Sequence, residues 1–133
     1  MPRILIADDH PLMRRHVRMT LEEKSWEVCA EAATGREAVA MTAAQRPQIV
    51  VLDLCMPELN GLDAAREIHN LYPETEILIL TMHDVEELMT ELSSVGVRDC
   101  IEKTDLQQLV IAIERIWRDR SRLAVSSTKG ASG

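Results

Sequence analysis

The chain contains no phenylalanine, and its aromatic residues are Trp26, Trp117 and Tyr72 among 133 residues. Its core must therefore be built from Leu, Ile, Val, Met and Ala, and few rings are available to stack on a flavin or a base. There is no basic run, and the net charge is −7, so the chain is a poor candidate for binding nucleic acid by itself. The three cysteines, Cys29, Cys55 and Cys100, are an odd number without CxxC spacing, which argues against a disulfide framework or a zinc site. No apolar run approaches membrane-spanning length, and the N-terminus lacks the apolar segment of a signal peptide. A cytoplasmic protein without a membrane partner is the default expectation.

What is present is a series of short apolar runs, each ending in a residue with chemistry. Ile49-Val50-Val51-Leu52 leads into Asp53, followed by the turn-rich Met56-Pro57-Glu58-Leu59-Asn60-Gly61. Such a run reads as a strand buried on both faces of a parallel sheet. Arg3-Ile4-Leu5-Ile6-Ala7 ends likewise in Asp8-Asp9, Ile77-Leu78-Ile79-Leu80 in Thr81, and a weaker strand from Arg98 to Ile101 leads to Lys103. Trp26 to Ala30 supplies another strand.

Helical patterns lie between these runs. Pro11 opens the first helix, with Met13, Val17 and Leu21 on its inner face and Arg14, Arg15 and Arg18 expected to face out. Thr34 and Glu37 form a capping box for the second, carrying Ala38, Val39 and Thr42. Asn60 caps a third with Leu62, Ala65, Ile68 and Leu71, and Asp84 caps a fourth with Val85, Leu88, Met89 and Leu92. Thr104 and Gln107 suggest a capping box for the last, with Leu106, Leu109, Val110, Ile113, Ile116 and Trp117. From Asp119 the pattern fails, and the Ser/Gly-rich end (126–133) reads as a flexible linker or tail. Gly96 suits the end of the fourth helix.

Five strands alternating with five helices form one α/β domain with a parallel sheet covered on both faces. Right-handed crossovers place every strand's carboxyl end on one edge, where ligands of such folds bind. Asp8, Asp9, Asp53, Thr81 and Lys103 should converge there. Charged carboxylates about 4 Å apart repel by roughly 4 kcal/mol per pair at an effective dielectric of 20. A hard divalent cation such as Mg²⁺ relieves that repulsion through oxygen ligands and readily shares them with phosphate. Lys103 suits a phosphate oxygen and Thr81 offers a hydroxyl donor. Together these groups read as a phosphoryl-transfer site with Asp53 as the carboxylate nucleophile.

The order Asp8-Asp9, Asp53, Thr81, Lys103, with Met56-Pro57 and Asn60-Gly61, resembles the receiver domain of bacterial two-component response regulators. Ala7-Asp8-Asp9-His10-Pro11, Leu80-Thr81-Met82-His83-Asp84 and Lys103-Thr104-Asp105 are similar to the NarL/FixJ group in particular. The resemblance covers residues 3 to about 118. It implies a flavodoxin-like (βα)5 three-layer sandwich with strand order 2-1-3-4-5, a receiver over residues 1–118 and a linker or tail over 119–133. It also implies that a histidine kinase or phosphotransfer protein donates a phosphoryl group to Asp53. Asp9, Asp53 and the Cys55 carbonyl would hold Mg²⁺ (or Mn²⁺), with Asp8 assisting through water. Thr81 would move towards the phosphoryl group, Lys103 would pair with it, and the face of the fourth helix, fifth strand and fifth helix would carry the output. Self-phosphorylation and autophosphatase activity are the most that would make it an enzyme. Control of transcription would pass through a helix-turn-helix domain that these residues do not contain, and part of the last helix is available to a homodimer.

Two residues depart from the receiver pattern. Cys100 stands where an aromatic is usual and is too small to rotate with the switch threonine. Met82 is larger than the usual residue after that threonine and would narrow access to the phosphate. A phosphorylation-independent interaction module is the alternative that Cys100 favours and the intact site opposes. A flavodoxin-type flavin carrier lacks its phosphate loop here, because Asp8-Asp9 would repel the phosphate. His10, His16 and His83 show no metal-ligand spacing and read as loop or surface residues.

Overall fold

A computed structural model describes residues 1–82 and 84–132, with side chains described through residue 122. In chain order the elements are β1 (Arg3–Ala7), α1 (Pro11–Glu22), β2 (Glu27–Ala32), α2 (Gly35–Gln45), β3 (Ile49–Asp53), α3 (Gly61–Leu71), β4 (Glu76–Thr81), α4 (Val85–Ser93), β5 (Asp99–Glu102) and α5 (Leu106–Ser132). The strands form one parallel sheet in the order β2-β1-β3-β4-β5. This is the flavodoxin-like α/β sandwich and strand order implied by the resemblance.

Strand periodicity divides the core into two layers. Leu5, Val50, Leu52, Ile77 and Ile79 point to α2, α3 and α4, where they meet Ala38, Ala65, Ile68 and Leu92. Ile4, Ile6, Val51, Leu78 and Leu80 point the other way, to Val17 and Leu21 of α1 and Leu109, Ile113 and Ile116 of α5. Every residue of β3 is buried. Two burial faces explain why its sequence is continuously apolar rather than alternating.

Helix starts follow the side chains expected to cap them. The Glu37 N–H donates to Thr34 Oγ1 at 3.0 Å, and the Ala33 N–H donates back to Glu37 Oε2 at 2.9 Å. Asn60 Oδ1 accepts from the Asp63 N–H and Asp84 Oδ1 from the Glu86 N–H, each at 2.9 Å. Gly96 closes the α4–β5 turn at φ 93°, and a Cβ there would stand 2.3 Å from the His69 ring.

Several local expectations shift. β2 begins at Glu27 and ends at Ala32, so it reaches further towards the acidic edge than the apolar run alone suggests. Leu71, the last residue of α3, is exposed because the helix ends there, just before Tyr72-Pro73, and its stripe has turned off the sheet. α5 starts at Leu106, one residue later than a Thr104 cap would place it. The break near Asp119 does not occur either, since the backbone stays helical to Ser132. Residues 119–129 contain neither Gly nor Pro. The turn after residue 118 is also anchored, with Asp119 2.6 Å from Arg98 and the Arg120 guanidinium donating to the Glu74 carbonyl at 3.1 Å. Among the described residues no helix is long and apolar enough to cross a membrane.

Candidate functional site at the carboxyl edge of the sheet

The carboxyl ends of β1, β3 and β4 lie side by side, because Ala7 pairs with Leu52 and Asp53 with Leu80. The residues just beyond those pairs must then share one edge. Asp8 follows β1, Asp53 ends β3, Thr81 ends β4, and Lys103 follows β5. The Lys103 N–H donates to the Thr81 carbonyl at 2.8 Å, so the turn after β5 remains tied to β4.

Gly61 brings the β3–α3 loop close behind Asp53. A Cβ on Gly61 would lie 2.3 Å from the Asp53 carbonyl oxygen, and the Gly61 N–H donates to the Leu54 carbonyl at 2.8 Å. Only a residue without a side chain allows that approach. Within the same loop Glu58 adopts φ 68°, a left-handed conformation that β-carbon residues avoid. The backbone of the β3–α3 loop therefore packs directly against the Asp53 end of the strand.

The five expected residues divide into charged partners and neighbours. Lys103 Nζ lies 3.0 Å from Asp8 Oδ2 and 3.1 Å from Asp53 Oδ1. The Cys55 N–H donates to Asp53 Oδ1 at 3.3 Å, while the Cys55 side chain is exposed. Thr81 is buried at the end of β4. Asp9 stands at the mouth, with its Oδ1 3.1 Å from His10 Nδ1. The sequence places His10 correctly at the surface but misses this contact, since a side chain adjacent to Asp9 in the chain carries no spacing signal of its own.

Burial raises the Asp53 carboxyl above its ordinary value, and the nearby Asp8 charge raises it further against the opposing pull of Lys103 and the Cys55 N–H. Burial alone would lower Lys103, but its short contacts with Asp8 and Asp53 prevail and raise it. The pocket thus keeps Lys103 protonated and makes ionisation of Asp53 less favourable than for a free carboxyl, without abolishing it.

The Lys103 ammonium meets Asp8 and Asp53, and with Asp9 beside them the cluster holds more carboxylates than ammonium groups among the described residues. One ligand atom from each of Asp8, Asp9, His10 and Asp53 falls within a common span of 4.8 Å. Asp8 Oδ2 is buried and met by the Lys103 ammonium, whereas the buried Asp9 Oδ1 has His10 Nδ1 close by but accepts no aligned hydrogen bond among the described residues. Buried oxygens without donors are costly unless a cation meets them. The donor set is rich in hard oxygens and suits a small divalent cation.

Cys100 lies in β5, buried on the α4 side of the sheet, and its thiol is pushed up to about 11, first by burial and then by Asp99. A recess of about 220 Å³ opens beside it, lined by Val85, Ile101, Glu102, Asp105 and Gln108. Met82 is exposed. His83 lies outside the described residues. The supporting contacts of Arg14, which the helical pattern places on the outer face of α1, are not visible in the sequence. Its guanidinium is half-buried and bonded to Glu31 and to the Asp8 carbonyl.

Comparison with known proteins agrees with this geometry. Residues 4–114 match the response regulator receiver domain model. The chain is 36% identical over 129 residues to the oxygen regulatory protein NreC of Staphylococcus epidermidis, covering 95% of this chain and 59% of NreC. It is 36% identical over 101 residues to the chemotaxis protein CheY of Thermotoga maritima, covering 76% of this chain and 84% of CheY. Among solved structures, a LuxR-family two-component response regulator from Aurantimonas superposes with a TM-score of 0.83 at 36% identity, covering 87% of this chain and 84% of that one. Spanning less than two thirds of NreC, the chain corresponds to part of that regulator's length. With the matched family model, the sheet order and the acidic strand-end pocket all in agreement, this chain belongs to the response regulator receiver domain family, of NarL/FixJ type.

Proposed function

We propose that this chain is a phosphorylation switch whose acceptor is Asp53. The observation carrying the proposal is the buried meeting of Asp53, Asp8 and Lys103, with Asp9 beside it in the same acidic cluster. Asp8, Asp9, Asp53 and the Cys55 carbonyl would hold Mg²⁺, or Mn²⁺, which supplies neutralisation of the phosphate and carboxylate charge when bound. An Asp53 oxygen attacks the phosphorus of a donor, and the donor's bond to phosphorus breaks with its electron pair leaving on the donor. No general base is required, because the nucleophile is already an anion.

Lys103 then moves its charge contact from Asp53 to the new phosphoryl oxygens, and the Thr81 hydroxyl donates to one of them. The natural donor for such a domain is a histidine kinase or a phosphotransfer protein. Output would leave through α4, β5 and α5, where the recess between Val85 and Cys100 would let α4 repack without a rotating aromatic. Residues 1–118 would form the phosphoacceptor unit, with 119–133 as a linker or tail. A DNA-binding partner domain and a homodimer through the last helix follow from the same reading.

The test is incubation with acetyl phosphate and Mg²⁺, followed by intact mass measurement. The expected result is a single added phosphoryl group that needs Mg²⁺ and is absent in Asp53→Asn. An unlabelled wild-type chain that also shows no Mg²⁺ binding by titration would overturn the proposal in favour of a constitutive interaction module.

A further inference from the structure

We propose that Arg14, braced by Glu31, is a positioning residue that aims the Asp8–Asp9 carboxylates into the acidic pocket. The inference rests on the reading of that pocket as a Mg²⁺ site. Its starting point is a side chain that the helical pattern assigns to solvent but that is turned inward. Arg14 Nε lies 3.1 Å from Glu31 Oε1, and Arg14 Nη1 donates to the Asp8 carbonyl at 2.7 Å. The second Glu31 oxygen is taken by Arg18. The guanidinium therefore bridges a strand side chain and a backbone carbonyl of the loop that carries both aspartates.

The remaining bonds of that loop show what the bridge governs. The Asp8 N–H donates to the Ala32 carbonyl at 3.0 Å, and β2 register sets Glu31 opposite Ile6. Asp8 Oδ1 accepts from the His10 N–H at 2.9 Å. With its N–H held by β2 and its carboxylate by His10, the carbonyl is the remaining polar group of Asp8, and Arg14 fixes it. That carbonyl belongs to the peptide plane from which Asp9 departs, so the bond sets the direction in which the Asp9 carboxylate leaves the strand. Among the described residues Asp9 Oδ1 has only the exposed His10 ring, at 3.1 Å, beside it, so the backbone direction is a principal restraint on it.

The contribution is geometric rather than electrostatic, because Glu31 offsets the Arg14 charge at close range. A planar fork reaches two acceptors in fixed directions, whereas a lysine ammonium offers a single point. Arg14→Lys should therefore behave like a deletion of the bridge, although it preserves charge.

Mg²⁺ titration by calorimetry on the full chain, with melting temperature and amide spectra of the metal-free protein, tests the proposal. Arg14→Met and Arg14→Lys should both weaken Mg²⁺ binding by about tenfold, the scale of a lost bond behind a ligand. Glu31→Gln should weaken it less, in the same direction, and Arg36→Met, which removes an exposed arginine facing Glu67, should not change it. In both Arg14 variants the Asp9 and His10 amides should shift without metal, while those of Leu109 and Ile113 stay in place. Should Arg14→Met fail to fold, Arg14→Lys and Glu31→Gln carry the test. Recovery of wild-type affinity by Arg14→Lys would overturn the geometric role, as would a lowered melting temperature with unchanged Mg²⁺ affinity. A wild-type chain that binds no Mg²⁺ would remove the site reading itself, and this proposal with it.

Discussion

The two edges of the sheet both carry charged residues and treat them in opposite ways. At the amino edge, charges are exposed and met by partners. The Arg3 guanidinium reaches Glu27 and the Gln45 carbonyl, Arg98 reaches Glu76 and Asp119, and Arg46 reaches Glu74 while lying 4.2 Å over the Tyr72 ring. At the carboxyl edge, the carboxylates of Asp8 and Asp53 share one buried ammonium, and Asp9 crowds the same cluster. Neutralised, solvated pairs each add little to stability. Buried, unbalanced charge opposes folding, and its persistence at one edge marks the place where a cation and a phosphate would change the balance. One edge is arranged for stability and the other for response.

The contrast would be broken most severely by Lys103→Met. Removing the ammonium that meets Asp8 and Asp53 should cost about 3 kcal/mol at pH 7, measured by urea unfolding, since it leaves buried carboxylates unpaired. The loss should shrink on acidification as the carboxylates protonate. Because Lys103 is raised in the folded chain, its stabilisation is complete below its ordinary value of 10.5 and is lost as pH rises through the folded value. The difference between variant and wild type should therefore also close in strong alkali.

Gly61→Ala should come next, at about 2 kcal/mol from overpacking, because its Cβ has no room beside the Asp53 carbonyl. Displacement of Asp53 should make acetyl phosphate labelling fall together with stability. A variant that labels normally would show that Asp53 is not held by that approach.

Asp53→Asn should act in the opposite direction and stabilise the metal-free chain by about 1 kcal/mol at pH 7, since relief from like charge and burial outweighs the lost contact with Lys103. The sign follows from the raised Asp53 value. That carboxyl's stability is fully present below its ordinary value of 3.8 and is lost as pH rises through the folded value. The gain in melting temperature should accordingly fade as pH falls towards 4. Added Mg²⁺ should raise the melting temperature of wild type more than that of the variant.

The amino edge supplies the smallest effect. Arg98→Ala should cost less than about 1 kcal/mol, diminished further by salt, and should leave Mg²⁺ binding and labelling unchanged. A large loss there would erase the distinction between the edges, and calorimetric melts at low and high salt would reveal it.

Much of this arrangement could be read from the chain itself. Continuous apolar runs such as Ile49–Leu52 identify strands buried on two faces, because only aliphatic side chains tolerate both layers. The capping residues Thr34, Asn60 and Asp84 identify helix starts, because each closes a hydrogen bond within a few residues. Parallel topology then forces Asp8, Asp53, Thr81 and Lys103 to one edge. These are local or topological rules, and short-range chemistry determines them.

What tertiary structure decided depends on residues distant in sequence. Periodicity on α1 sends Arg14 outward, and only Glu31 on β2 and the Asp8 carbonyl turn it in. Composition ends α5 near Asp119, yet Arg98 and the Glu74 carbonyl anchor the next turn and the helix runs on. The closeness of Gly61 to Asp53 and the recess beside Cys100 likewise arise from how separate elements pack. A sequence pattern records which face a residue prefers, whereas a side chain's final partner is set by the elements that the fold brings to it.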